Sequence, residues 1–287
     1  MYSSFDRSAG GNRSLSEFHD VDIIFYIEGK NESEDCTKLY DYQYYKTILS
    51  KVCNIENFKI TVLGCKPALL DKGRLIENNN ITNNYIIIDR DHDDFLSHNS
   101  MNANVFKKTH GYSWENDFFT TGIIRYYLNL TSADNGFLNS CIGKIKRVEK
   151  RISYIHKANL VLRMNGKNLF SMKSGCGCQI ENSLFHGVSI SEVKRIISKI
   201  RDEMNVNDFT SQFETIKDIH NGLAIQGHSF EFFILKIIDA EYQNVKIGNS
   251  SMVDKNLIKN ILFIEFSKNP LTYLSPQTVS YYQSIFC

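Results

Sequence analysis

Carboxylates stand where two apolar runs end. One run closes as Tyr26-Ile27-Glu28-Gly29-Lys30, with Glu32 four residues beyond Glu28. Another closes as Ile86-Ile87-Ile88-Asp89-Arg90-Asp91-His92-Asp93-Asp94. Acids one residue apart on extended backbone point the same way about 7 Å apart, where hard oxygen ligands can share one or two divalent cations. Asp89 and Asp91 are therefore candidate ligands, and Glu28 is a further ligand or a proton-transfer group. Uncompensated carboxylates gathered in one place repel one another unless a cation sits among them, and Mg²⁺ or Mn²⁺ suits such a set. Asp93 is a further candidate ligand. His92, Asp93 and Asp94 can also be read as residues that solvate the loop, with His92 at the surface.

The elements that must position these acids follow from periodicity. Apolar runs at 22–27, 58–63 and 85–88 alternate with helical patterns at 33–52 and 67–78, giving β-α-β-α-β. Short, almost wholly apolar strands joined by single helices predict a doubly wound α/β domain, a parallel sheet with helices on both faces. In such sheets the ligand crevice lies beyond the carboxyl ends of the strands, where Glu28 and Asp89 fall. After about residue 131 the texture changes. Ile142, Ile145, Val148, Ile152 and Ile155 recur at helical spacing, as do Val193, Ile196, Ile197 and Ile200, and Ser275-Pro276 can open a last helix. The expected division is a Ser, Gly and Asn-rich arm at 1–17, an α/β domain at 18–131 and a mainly helical subdomain at 132–287.

An apolar strand ending in Glu-Gly followed by one ending in Asp-x-Asp resembles the Toprim domain of topoisomerases, bacterial primases and several nucleases. Tyr26-Ile-Glu-Gly-Lys, Leu63-Gly-Cys-Lys, Ile88-Asp-Arg-Asp and Tyr112-Ser-Trp-Glu-Asn together resemble the Toprim-like nuclease family that supplies the effector subunit of the PARIS anti-phage system. The resemblance covers roughly residues 22–130 and extends to Asn165-Gly-Lys-Asn-Leu-Phe and Gln226-Gly-His-Ser-Phe. It implies a metal-dependent phosphodiesterase in which Glu28 is a general acid or base, Asp89 and Asp91 hold Mg²⁺, and Glu115 reaches the same crevice. Glu32 matches a second acid that these nucleases carry, usually as Asp, and can otherwise be a first-turn helix acid. Lys30 and Lys66 flank the crevice, as contacts to the scissile phosphate or as offsets to the carboxylates. The resemblance further implies a toxic effector that is held inactive by an ATPase sensor partner. Once released it would form a homodimer and cleave host transfer RNA. A DNA-nicking Toprim nuclease, an inactive Toprim binding module and a haloacid-dehalogenase type phosphatase are the alternatives. The last fits less well, because its motif wants Thr or Val where Asp93 stands.

Composition narrows the partners. The 33 Lys and Arg against 32 Asp and Glu leave a net charge of +1, so a polyanion must be met by a local patch. One basic stretch exists, in which Lys144, Lys146, Arg147, Lys150, Arg151, Lys157, Arg163, Lys167 and Lys173 face only Glu149. Lys144, Lys146, Arg147, Lys150 and Arg151, with Lys66, are the candidate nucleic-acid contacts, RNA being favoured. No Gly stands five residues before Gly29-Lys30, Gly143-Lys144 or Gly166-Lys167, so no P-loop is expected and ATP use falls to the partner. Seven scattered cysteines without an opening apolar leader fit a reduced, cytoplasmic protein, and Cys176 and Cys178 lack the second pair that a zinc finger needs. The apolar runs are far shorter than the roughly 20 residues of a membrane span.

Overall fold

The computed structural model describes residues 18–29, 35–96, 101–131, 134–170, 189–245 and 254–286. Four strands, β1 (Ile23–Ile27), β2 (Phe58–Val62), β3 (Asn84–Ile88) and β4 (Phe106–Lys108), form one parallel sheet in the order β2-β1-β3-β4. The three expected strands lie within a residue of their predicted bounds. β4 was not expected, because Phe-Lys-Lys at a sheet edge is too short and too polar to show a period. The expected arm at 1–17 lies outside the described residues.

The central strands β1 and β3 are almost wholly apolar because both of their sides are covered, whereas Lys59 and Thr61 of the edge strand β2 are only half-buried. Successive side chains alternate between faces. Phe25, Ile27, Ile60, Val62 and Ile87 belong to one buried cluster, whereas Ile24, Tyr26, Ile86 and Ile88 belong to another with Leu69, Ile76 and Phe106. The second face is covered by α2 (Lys66–Asn78), whose first turn carries Pro67. The first face is covered by α1 (Tyr40–Thr47), which runs on as a π turn over Ile48–Val52.

The same cluster continues into the helical half. It takes in α3 (Trp114–Phe118), α4 (Thr121–Thr131), the long α5 (Asn135–Met164), and side chains of the helices that follow. Those are α6 (Ile190–Glu203), α7 (Val206–Ile216), α9 (Gly227–Val245), α10 (Lys255–Lys268), α11 (Pro270–Tyr273) and α12 (Pro276–Phe286), while the short α8 (Asn221–Ala224) contributes no member. The expected stripe Ile142, Ile145, Val148, Ile152 and Ile155 is buried along α5. On α6 only Ile196 of the expected stripe is buried, while Val193 and Ile197 are exposed. Ser275 caps the last helix through the Thr278 N–H at 3.0 Å, as its pairing with Pro276 suggested. Among the described residues no helix is long and apolar enough to cross a membrane.

This strand order places the topological switch between β1 and β3: the chain leaves β1 toward β2 and leaves β3 toward β4. Ile27 is registered with Ile87, so Glu28 stands level with Ile88 and Asp89 one residue beyond, both at the adjacent strand ends of that switch. The crevice is opened by the fold before any side chain is considered.

α2 approaches β4 closely because residue 73 has no side chain. A Cβ there would lie 2.0 Å from Cζ of Phe106, which is buried. Gly73→Ala should therefore lower stability by about 1–3 kcal/mol through overpacking, despite the better helix propensity of Ala. Phe106→Leu in the same chain should restore part of the loss. Urea unfolding of the three proteins checks this, and an unchanged midpoint for Gly73→Ala would contradict it.

Candidate active site

Glu28 prolongs β1, and its carboxylate accepts the backbone N–H of Lys66 at the start of α2. The helix terminus favours the charged form. Burial nevertheless pushes the carboxyl above its ordinary value, with the Asp91 carboxylate adding to it. Asp89 follows β3 and is pushed well above the usual range, first by burial, then by the carboxylates of Glu115, Asp91, Glu28 and Asp41.

The acidic run is sorted by its cations. Lys66 Nζ lies 2.5 Å from Asp91 and 2.9 Å from Asp93, and Asp94 is gripped by Arg90 at 2.5 Å and Lys108 at 2.7 Å. Asp93 and Asp94 thus brace the loop, and Asp93, expected as a ligand, is held on Lys66. Asp91 does not continue an extended strand. Its φ of 51° makes a turn, and its N–H donates to the Tyr112 carbonyl at 2.8 Å. The same-side spacing expected for Asp89 and Asp91 is therefore replaced by a tight turn, which an Asp tolerates better than most residues.

His92 is wholly buried, a correction to the surface role expected for it. Its Nε2 meets the Ala224 carbonyl at 3.0 Å and its Nδ1 meets the Arg163 guanidinium at 2.8 Å. One nitrogen donates and the other accepts, so the ring is neutral. Burial, with Arg163 adding to it, holds it down to about 4.

Glu115 reaches the crevice from α3, where Ser113 and Asn116 form a capping box. Its side chain is almost fully buried, accepting from the Ser113 hydroxyl at 2.5 Å and facing His228 Nδ1 at 2.9 Å. Burial works to raise this carboxyl, but His228 and Ser113 outweigh it and hold it below its ordinary value. In turn the hydrogen bond to Glu115 raises His228 to about 9.

Asp41, on the first turn of α1, joins the same set. Burial and then Glu115 push it up to about 6, against a hydrogen bond from Trp114. Sequence reasoning missed Asp41, which reads as an ordinary first-turn helix acid. It also gave no role to His228, although Gln226-Gly-His-Ser-Phe falls within the family resemblance. Glu28, Asp41, Asp89, Asp91 and Glu115 thus act on one another electrostatically, with Lys66 and His228 as the cations beside them. The set is oxygen-rich, crowded and under-neutralised, but among the described residues the three donors whose ligand atoms lie within 4.8 Å of one another are those of Glu115, His228 and Glu231, not Glu28, Asp89 and Asp91.

Other expected residues fall differently. Lys30, Glu32 and the Cys176/Cys178 pair lie outside the described residues. Lys144, expected on the basic face, is turned inward to an ion pair with Glu241 and its side chain is only 13% exposed, because it shares a helix face with buried Cys141 and Val148, one turn either side. Lys157 is buried as well and donates to the Lys217 carbonyl at 2.7 Å. Lys146, Arg147, Lys150 and Arg151 are exposed on α5. Lys66 serves as the offset to Asp91 and Asp93.

No protein-family model matches the chain, and no curated protein matches it.

The Asp41 environment has a pH signature. A carboxyl at about 6 when folded and near its ordinary value of 3.8 when unfolded binds more protons in the folded state between those values. Its contribution to stability therefore falls as pH rises from about 4 to about 6 and stays lost above that. Asp41→Asn keeps an acceptor for Trp114 and removes the charge. Without added metal, its stability relative to the parent chain should grow from near zero at pH 4 to about 2 kcal/mol at pH 7. Denaturant midpoints at the two pH values measure this, and a pH-independent difference would count against the crowding of these carboxylates.

Proposed function

We propose that this chain is a divalent-metal-dependent phosphodiesterase that cuts nucleic acid, RNA before DNA. The observation that carries the reading is the position of Glu28 and Asp89 at the adjacent ends of β1 and β3, at the topological switch, both pushed toward protonation by burial and by neighbouring carboxylates. A crevice that crowds negative charge with too few cations is built to receive cations. Mg²⁺ or Mn²⁺ held by Glu28, Asp89 and Asp91 would activate the attacking water and stabilise the leaving oxygen of an in-line displacement at phosphorus.

The chain's own residues have separable tasks. Glu28, partly desolvated and raised, is placed to move a proton at its carboxylate. Lys66 holds Asp91 and Asp93, which fixes the loop after β3 against the start of α2. Ser113 and His228 orient Glu115, and the exposed cations of α5 offer a face to a phosphate backbone.

The resemblance to Toprim-like nucleases supports the same reaction and suggests the setting. In that reading the chain is the toxic effector of an anti-phage, abortive-infection system. An ATPase sensor partner would restrain it, and on release it would act as a homodimer on host transfer RNA in the cytoplasm.

The test is incubation of the purified chain with total RNA and with plasmid DNA, in Mg²⁺, in Mn²⁺ and in EDTA. Metal-dependent cuts in RNA are expected. Glu28→Gln should slow them about 10²–10⁴-fold and Asp89→Asn should abolish them, with unfolding transitions no lower than the parent's. Cuts in DNA alone would move the substrate to DNA, and cutting that survives Asp89→Asn would remove the site. Replacing Lys146, Arg147, Lys150 and Arg151 by Ala should weaken RNA binding and flatten its salt dependence, by about 0.7–0.9 in slope for each phosphate that is no longer neutralised. An unaltered slope would place the backbone elsewhere.

A further inference from the structure

Beside the acidic crevice, the start of α9 carries His228 and Glu231, three residues apart and so on one face of the helix. Glu115 reaches the same face from α3. One donor atom from each of these three residues lies within 4.8 Å of the others, and Glu115 Oε1 stands 2.9 Å from His228 Nδ1. Donors about 2.0–2.2 Å from a shared ion are themselves separated by about 3 Å, so the Glu115 and His228 atoms already stand at ligand spacing. Only Glu231, half-buried one turn along α9 from His228, has to swing inward.

Three features hold this set. Ser113 occupies the other oxygen of Glu115 at 2.5 Å, as an outer hydrogen bond fixes a ligand carboxylate. Lys259 Nζ takes Oε1 of Glu231 at 2.8 Å and leaves its second oxygen to turn toward His228. Residue 227 is Gly, and a Cβ there would lie 1.8 Å from Ser113 Oγ and 2.5 Å from Glu115 Oε2. The start of α9 can close on Glu115 only without that atom. An ion pair between Glu115 and His228 explains the 2.9 Å approach but not the second carboxylate brought to the same imidazole.

The geometry points to a metal site at Glu115, His228 and Glu231, distinct from the set formed by Glu28, Asp89 and Asp91, that takes a borderline divalent ion such as Mn²⁺ or Zn²⁺. An imidazole nitrogen between two carboxylates suits those ions, whereas Mg²⁺ prefers oxygen alone. The site rests on the proposed reading of the crevice only for its use in the reaction. Glu115, close enough to Asp89 to raise it, ties the two sets together.

The full, tag-free chain is titrated with Mn²⁺, and bound ions are counted from the free-ion paramagnetic resonance signal. Electron spin echo modulation then reads any ¹⁴N coordinated to the bound ion. The parent chain should show the nitrogen signature. His228→Ala, at an exposed side chain, should lose it together with one bound Mn²⁺ per chain. Glu231→Gln should keep the nitrogen and bind that ion about tenfold or more weakly, because even outer-shell partners are worth 10–100-fold in affinity. Asp89→Asn should retain the nitrogen signature. An absent ¹⁴N signal in the parent chain, or equal Mn²⁺ numbers and affinities in all variants, would reduce His228 to a charge partner of Glu115. Cleavage in Mg²⁺ with no nitrogen-bound ion overturns this site and leaves the phosphodiesterase standing. Nitrogen-bound Mn²⁺ without cleavage of either nucleic acid supports the site and overturns the phosphodiesterase.

Discussion

Repulsion among carboxylates at the ends of β1 and β3 is the constraint around which the rest is arranged. Like charges in a partly buried site oppose each other far more than in water, and Glu28, Asp41, Asp91 and Glu115 all bear on Asp89, with Asp91 also on Glu28 and Glu115 on Asp41. The fold meets part of this cost with Lys66, His228 and the start of α2. It also leaves part unmet at Glu28 and Asp89. The outer acids of the same run are treated differently: Asp93 and Asp94 are matched by Lys66, Arg90 and Lys108. Neutralisation outside and crowding inside is the pattern on which the proposed metal site rests.

The helical half takes part in this arrangement through specific bonds. Gly222 of α8 accepts from the Tyr112 N–H at 2.7 Å, and the Tyr112 carbonyl accepts from Asp91, so the turn of the acidic loop is set from α8. The Ala224 carbonyl seats His92 in the same loop. Tyr282 of α12 donates to Asp117 at 2.7 Å, and Asp117 accepts from the Gly111 N–H at 2.9 Å, which fixes the approach to α3. Neutral, buried His92 serves that scaffold. The helices therefore decide where Asp91 and Glu115 stand, while the sheet decides where Glu28 and Asp89 stand.

Local patterning carried much of this. β1 and β3 read directly from their apolar runs because a strand buried on both faces has no polar phase to disguise it, and β2 from its alternation. Glu28 and Asp89 followed, since strand ends in such sheets are where ligands sit. β4 escaped because an edge strand of three residues has no period to detect. Asp41 and His228 escaped for another reason: each stands on a helix surface, and only the folding of α1 and α9 toward Glu115 makes either one part of a site. Lys144 misled in the opposite sense, since its position off the apolar stripe predicted solvent, but α9 lies there and supplies Glu241. The turn at Asp91 also needed tertiary information, because its left-handed backbone is fixed by Tyr112 rather than by its neighbours in sequence.

The claim that this crevice is a cation site is tested most directly by thermal unfolding of the full chain during titration with Mg²⁺, beside the Asp89→Asn chain. Binding to the folded state alone adds about 2.7 kcal/mol at a hundredfold excess over the dissociation constant. The account predicts a melting temperature that climbs with metal concentration in the parent chain and stays nearly level in Asp89→Asn. A level curve in the parent chain, or an equal climb in both, would contradict it.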